Sequence, residues 1–191
     1  MIRELDAKNL CPNPIELRAR LMSRIPVEGT EKYQNALQKA IRCRYSYQRV
    51  PILREGDTLN LGFGPFQSKS LSSRLEECDE AFVFAVTLGI GVDRLLMRLS
   101  ASDPAGHFIT DAYASALADA ACDLAEKELQ GELPCIRRYS PGYGDLSLEL
   151  QKPLLDFLDG RQLGITVTKN WLMVPTKSIT AIMGIKHELT K

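Results

Sequence analysis

Between Glu80 and Asp93 the chain carries twelve residues in succession without a charge, Ala81-Phe82-Val83-Phe84-Ala85-Val86-Thr87-Leu88-Gly89-Ile90-Gly91-Val92. The run is too short to span a bilayer, which takes about 20 apolar residues in a helix. A strand over 81–88 with no polar alternation is covered on both faces, so the fold needs a packed layer on each side of it. Candidates for those layers follow at once. Gly89-Ile90-Gly91 turns out of the strand into a helix over 92–99, with Val92, Leu95, Leu96 and Leu99 inward. Asp103-Pro104 then starts the longest helix, to about residue 129, the proline sitting in a first turn where its missing N–H is not needed.

Upstream, Asn13 caps a short helix from Pro14 to about Arg24, residues 26–30 break it, and Thr30 caps a longer helix to about Tyr45. Tyr33, Leu37, Ala40 and Ile41 fall on one face of that helix. Val50-Pro51-Ile52-Leu53, a turn at Glu55-Gly56-Asp57 and Thr58-Leu59-Asn60-Leu61 predict a hairpin, ended by Gly62-Phe63-Gly64-Pro65. Ser68 or Ser70 caps a short helix reaching Leu75 and Glu76. Later come a helix over 148–158, a strand over 165–168 and a last strand over 178–185. The sum is an α+β fold: a mostly antiparallel twisted sheet flanked by helices, with a helical N-terminal segment. With no internal repeat or Ser/Gly linker, the expected organisation is one compact unit, a helical front over 1–49 and the main domain over 50–191.

Charge and cysteine usage narrow the function classes. Lys plus Arg and Asp plus Glu are both 24, so no global field recruits nucleic acid or an anionic membrane. The opening Met1-Ile2-Arg3-Glu4-Leu5-Asp6 lacks the apolar stretch of a signal peptide, and a cytoplasmic, soluble chain is expected. Locally the balance fails: residues 1–54 carry a formal +6 and residues 111–159 a formal −6. That asymmetry fits attraction or simple solvation within one fold, and it also fits a docking face for a charged partner. The five cysteines (Cys11, Cys43, Cys78, Cys122, Cys135) form no C-x-x-C pair, and His107 and His187 are the only histidines. Buried or inert thiols are expected, and no metal site. Gly89-x-Gly91 leaves Arg94 where a dinucleotide fingerprint needs its third glycine, so a tight strand-to-helix turn is the better reading.

Two features carry binding chemistry. On the longest helix Asp111, Ser115, Asp119 and Asp123 recur every four residues among alanines, which stacks them along one stripe. Stacked carboxylates repel one another by a few tenths of a kcal/mol per pair. The stripe is either a solvated edge or one compensated by a cationic ligand or an arginine from elsewhere. The second feature is Arg137-Arg138-Tyr139-Ser140-Pro141-Gly142-Tyr143-Gly144-Asp145. Turn chemistry accounts for Pro141, Gly142, Gly144 and Asp145. It does not account for Arg138, whose planar fork grips a carboxylate, or for Tyr143, whose face stacks on a base or a cation. Together with the carboxylates they suit a small molecule bearing a carboxylate, a cationic centre and an aromatic base.

Arg138-x-x-x-Gly142-Tyr143 resembles the R-x-x-x-G-Y signature of the activation (reactivation) domain of vitamin B12-dependent methionine synthase. The similarity continues in Ser68-Lys69-Ser70-Leu71, Cys78-Asp79-Glu80-Ala81, Thr87-Leu88-Gly89-x-Gly91-Val92-Asp93-Arg94-Leu95 and Ser140-Pro141-Gly142-Tyr143-Gly144-Asp145. It resumes in Met173-Val174-Pro175-Thr176-Lys177-Ser178-Ile179-Thr180-Ala181-Ile182, so that it spans roughly residues 45–187. The chain looks like a short, free-standing form of that domain.

The resemblance implies an S-adenosylmethionine-binding module that supports reductive methylation of cob(II)alamin in trans. The cobalamin would be carried by a partner, a methionine synthase or related corrinoid protein, with an electron from flavodoxin or another donor. The chain would then be one component of a methyltransferase activity in methionine biosynthesis, with no catalytic residue of its own. By the same resemblance Arg138 binds the methionine carboxylate, and Gly142 and Tyr143 shape the adenosyl pocket. The backbone of Tyr139, Ser140 and Pro141 meets the adenine, and Asp123, with Asp119 second, faces the amino group or sulfonium. Only six residues follow Ile185, where the family continues with a tyrosine-containing segment near the ligand. A shallower pocket, or one completed by a partner, is therefore implied. The alternative is a non-catalytic scaffold partner of a corrinoid protein that has lost ligand binding.

Overall fold

The computed structural model describes residues 2–21 and 29–187. In chain order its elements begin with β1 (Ile2–Glu4), α1 (Pro14–Arg20), α2 (Glu31–Ala40), β2 (Arg44–Pro51), β3 (Leu53–Glu55), β4 (Thr58–Asn60), β5 (Pro65–Gln67) and α3 (Lys69–Leu75). They continue with β6 (Cys78–Thr87), α4 (Ile90–Ser102), α5 (Pro104–Gln130), α6 (Gln151–Phe157), α7 (Gly160–Leu163), β7 (Thr166–Val167), β8 (Met173–Val174) and β9 (Ser178–Lys186). The strand over the uncharged run is β6, and it sits inside an antiparallel sheet of order β1-β2-β6-β9.

Burial of both faces explains why β6 carries no polar residue from Ala81 to Val86. Phe82, Phe84 and Val86 join Ala181, Met183 and Ile185 of β9 in a core shared with α1, α2, α4 and α5. Ala81, Val83 and Ala85 join Ile182 and face a second core built from α3, α6, α7 and the small β3-β4-β5 sheet. The larger β6 side chains, Phe82 and Phe84, face the first core and the smaller Ala81 and Ala85 face the second, and all four are buried. The start of the longest helix is as the sequence predicts. Asp103 caps α5 by accepting from the Gly106 N–H at 2.9 Å, and Pro104 occupies its first turn. No helix among the described residues is long and apolar enough to cross a membrane.

The structure departs from the sequence reading at the N-terminal side. The second helix stops at Ala40, not near Tyr45, and Ile41 turns to extended backbone. Arg44–Pro51 is then the full partner of β6, with Tyr45 and Tyr47 turned to the helix layer and the Tyr45 hydroxyl donating to Glu128 at 2.7 Å. Val50 and Pro51 belong to β2, and the hairpin is formed by β3 and β4. The first helix is described as far as Arg20, and its expected end near Arg24 lies outside the described residues.

Burial treats the thiols unevenly. Cys43, Cys78 and Cys122 are buried, Cys135 is half-buried and Cys11 is exposed, all five free. Desolvation pushes the Cys43 and Cys122 thiols up to about 12, so neither ionises near neutral pH.

Candidate functional site

The outer side of β9 is not a free edge. The Ile136 N–H donates to the Gly184 carbonyl at 2.9 Å, and Tyr139 and Ile182 exchange N–H to carbonyl bonds at 2.8 Å each. The 134–139 segment is thus a short extra strand on β9, and neighbouring side chains along it turn to opposite sides. Arg138 turns to α5. Tyr139 turns to α3, buried in the second core with the Arg74 guanidinium 4.9 Å from its ring centre.

On the α5 side Arg138 meets two carboxylates through Nη1: Asp123 at 2.5 Å, and Glu126 more closely still. The Arg138 backbone N–H also donates to Glu126 Oε1 at 3.3 Å. The Arg138 and Glu126 side chains are 19% and 17% exposed, whereas Asp123 is 67% exposed. Burial opposes the Arg138 charge, but charge and hydrogen bonds from Glu126 and Asp123 outweigh it and hold the group above its ordinary value. No partner for the Arg138 Nε or Nη2 occurs among the described residues.

The acidic stripe of α5 is compensated along its whole length by cations from other elements. Lys177 bonds Asp111 at 2.7 Å and Ser115 at 2.9 Å. Arg20 of α1 bridges Glu16 and Asp119 at 2.7 Å each, and Arg138 takes Asp123 and Glu126. Burial and the charge of Glu16 raise the Asp119 carboxyl above its ordinary value against the pull of Arg20. Asp119 therefore serves first to fasten α1 to α5. Glu126 is absent from the sequence-derived set, although its spacing of seven from Asp119 and three from Asp123 puts it on the same helix face.

The 140–146 turn is rigid for local reasons. Gly142 N–H donates to the Leu146 carbonyl at 2.8 Å, Tyr143 N–H to Ser140 at 3.1 Å and Leu146 N–H to Tyr143 at 3.0 Å. Gly144 adopts φ +53°, and a Cβ there would lie 2.4 Å from the Tyr139 hydroxyl and 2.9 Å from Ser70 Oγ, so only glycine fits. Tyr143, 60% exposed, lays its ring edge to face against Tyr139 at 5.8 Å. Pro141 is buried beneath the turn. Because both backbone groups of Tyr139 are bonded to Ile182, its amide offers no free donor to an adenine, and the Ser140 carbonyl already accepts from Tyr143. The structure thus brings Arg138 to Asp123, and Tyr143 to Tyr139. Five cavities among the described residues have neither Arg138 nor Tyr143 in their walls.

Asp145 closes the turn onto α3. Its carboxylate accepts from the Ser68 hydroxyl at 2.6 Å, the Lys69 N–H at 2.7 Å and the Ser70 N–H at 3.2 Å. The Ser68 hydrogen bond, aided by the backbone donors, lowers the carboxyl to about 2. A carboxylate depressed by folding adds stability above its unfolded value, and that contribution is lost as pH falls through the folded value. The wild type is therefore expected to lose this part of its stability between about pH 4 and pH 2. Asp145→Asn should flatten that segment of a stability-versus-pH curve from chemical denaturation. An unaltered acid limb would show that the carboxylate is not the anchor.

This is an α+β domain in which an antiparallel sheet, helix-covered on both faces, carries an arginine–carboxylate pair and a tyrosine turn along its last strand. No family model matches the chain, and no curated protein matches it in sequence. Among solved structures the chain is similar to a crystal structure of the MetH reactivation domain bound to AdoHcy. The match has a TM-score of 0.69 and 16% identity, and it covers 100% of this chain and 79% of that one. The likeness is one of fold, and it agrees with the fold that the sequence resemblance implies.

Proposed function

We propose that this chain binds S-adenosylmethionine along the 138–143 edge and acts in trans as a reactivation module for a cobalamin-dependent methionine synthase or related corrinoid protein. The observation that carries the reading is the full-length likeness in fold to a reactivation domain crystallised with AdoHcy. The chemistry of the edge supports it. The uncommitted N–H groups of Arg138 fit a carboxylate, and the exposed Asp123 fits an ammonium or sulfonium beside it. Tyr143 presents an open ring, which fits a flat base. When bound, S-adenosylmethionine supplies an electrophilic methyl group. The chain's own part is to hold the zwitterionic head and the adenosyl group in one orientation, so its contribution is positioning rather than acid–base chemistry. Cobalamin stays on the partner, and a cytoplasmic flavodoxin or similar protein supplies the electron.

The test is spectroscopic. A corrinoid methionine synthase without an activation domain of its own is oxidised to cob(II)alamin and mixed with reductant and S-adenosylmethionine. Adding this chain is expected to restore the methylcobalamin spectrum. A specific observation favours the scaffold reading as the second: Arg138 is already engaged by two carboxylates. On that reading the chain forms a stable complex with the corrinoid protein and the spectrum does not change.

A further inference from the structure

Part of the N-terminal positive charge is paired with carboxylates inside the fold, and another part, three side chains, converges on one groove. Arg20 pairs with Asp119 and Glu16, and Arg49 pairs with Glu80. Lys39 at the end of α2, Arg42, and Arg44 at the start of β2 instead line a cavity of about 840 Å³ together with Arg94 and Arg98 of α4. Its walls hold five cations and no carboxylate. The nearest acid in sequence, Asp93, is turned away: it accepts from the Thr176 N–H at 2.9 Å and the Thr176 hydroxyl at 2.8 Å. No ion-pair partner for Lys39, Arg42, Arg44, Arg94 or Arg98 occurs among the described residues.

The groove is built, not incidental. Gly91 lets the Ala40 carbonyl approach so closely that a Cβ would lie 2.3 Å from it, which brings the end of α2 against the start of α4. Two of the guanidinium groups are tethered to carbonyls: Arg42 Nη1 to Ile41 at 2.8 Å, and Arg44 Nη2 to Leu163 at 2.8 Å. Ile90, Arg94 and Arg98 recur at four-residue spacing on one face of α4 with Met97 beside them. Ile90 and Met97 are 43% and 72% exposed, an apolar shelf beside the cations.

We propose that this groove binds a small molecule carrying two or more linked phosphate groups. Several preset cations around one concavity of small-ligand size suit adjacent phosphates, each taking charge-assisted hydrogen bonds from a guanidinium fork. A flat acidic protein face would not need the concavity. Two sources share this chemistry, inorganic pyrophosphate and a nucleoside diphosphate whose body would rest on Ile90 and Met97. The site is separate from the Arg138 edge and does not depend on the function proposed for it.

Titration calorimetry at low ionic strength tests it with pyrophosphate, ADP and adenosine as the probes. Saturable binding of pyrophosphate and ADP is expected, none of adenosine, and both should weaken at least tenfold in Arg94→Glu/Arg98→Glu. Both of these side chains are exposed, so the fold should survive, and an unaltered S-adenosylmethionine titration or unfolding curve checks that. Equal affinity for the two phosphate probes supports recognition of the phosphates alone, and several-fold tighter ADP supports a nucleotide. Tyr143→Ala should leave both unchanged, which separates this site from the other. Absence of saturable binding, indifference to the double substitution, or a response to polyglutamate only would overturn the proposal.

Discussion

Gly91→Ala is expected to destabilise the fold by about 3 kcal/mol or more, the upper part of the range for overpacking a close contact. The clash is with backbone: a Cβ would stand 2.3 Å from the Ala40 carbonyl oxygen and 3.3 Å from its carbon. A flexible side chain could swing aside, but this carbonyl cannot. The end of α2 is held by the Ile41 N–H on Leu37 at 3.0 Å and by the Arg42 N–H on Leu88 at 2.9 Å. Relief therefore requires the α2 and α4 helices to part, with loss of packing between Leu37, Ile41, Val92 and Leu96. Denaturant unfolding should show a lower midpoint at unchanged slope. Gly56→Ala is the control: its φ is +55° but no atom lies within 4 Å of the added Cβ. Its cost should be about 1 kcal/mol, from conformation alone. Equal losses in the two variants would mean the α2–α4 approach is looser than described.

Arg138→Ala should be the next most damaging, by about 3 kcal/mol, because it strands Glu126. Deleting one member of a largely desolvated ion pair leaves the other charged without a partner, and that penalty exceeds what the pair contributes when intact. Asp123 is two-thirds exposed and loses little. A double-mutant cycle separates the effects: in a Glu126→Gln background the cost of Arg138→Ala should fall by more than half. A cost that is the same in both backgrounds would refute the Glu126 pairing. The cycle also warns against reading a lost ligand titration in Arg138→Ala as loss of a ligand contact alone.

The elements legible in the sequence are those whose signals are local. The charge-free run of β6, the Asp103-Pro104 start of α5 and the Ser68 cap of α3 each carry their cause within a few residues. β2 was hidden because helical spacing from Tyr33 to Ile41 leads straight into it, and the Tyr45/Tyr47 alternation covers only two inward positions. What pairs with the acidic stripe was also illegible. Arg20 and Asp119 are 99 positions apart, and only the docking of α1 on α5 brings them together. The charge excess of residues 1–54 was visible as a number, but which of its members pair inside the fold and which line one open groove needed the fold. Arg138 stood out in the sequence as an unexplained arginine, whereas Glu126 did not stand out among other surface acids.

The most direct measurement is titration calorimetry of S-adenosylmethionine into the wild type and Tyr143→Ala. Tyr143 is 60% exposed and meets Tyr139 in a T-shaped contact, so its loss should leave the unfolding curve nearly unaltered. Saturable heat is expected with the wild type and roughly tenfold weaker binding in the variant, the worth of one stacked aromatic. No heat with the wild type, or equal affinity in both proteins, would contradict it.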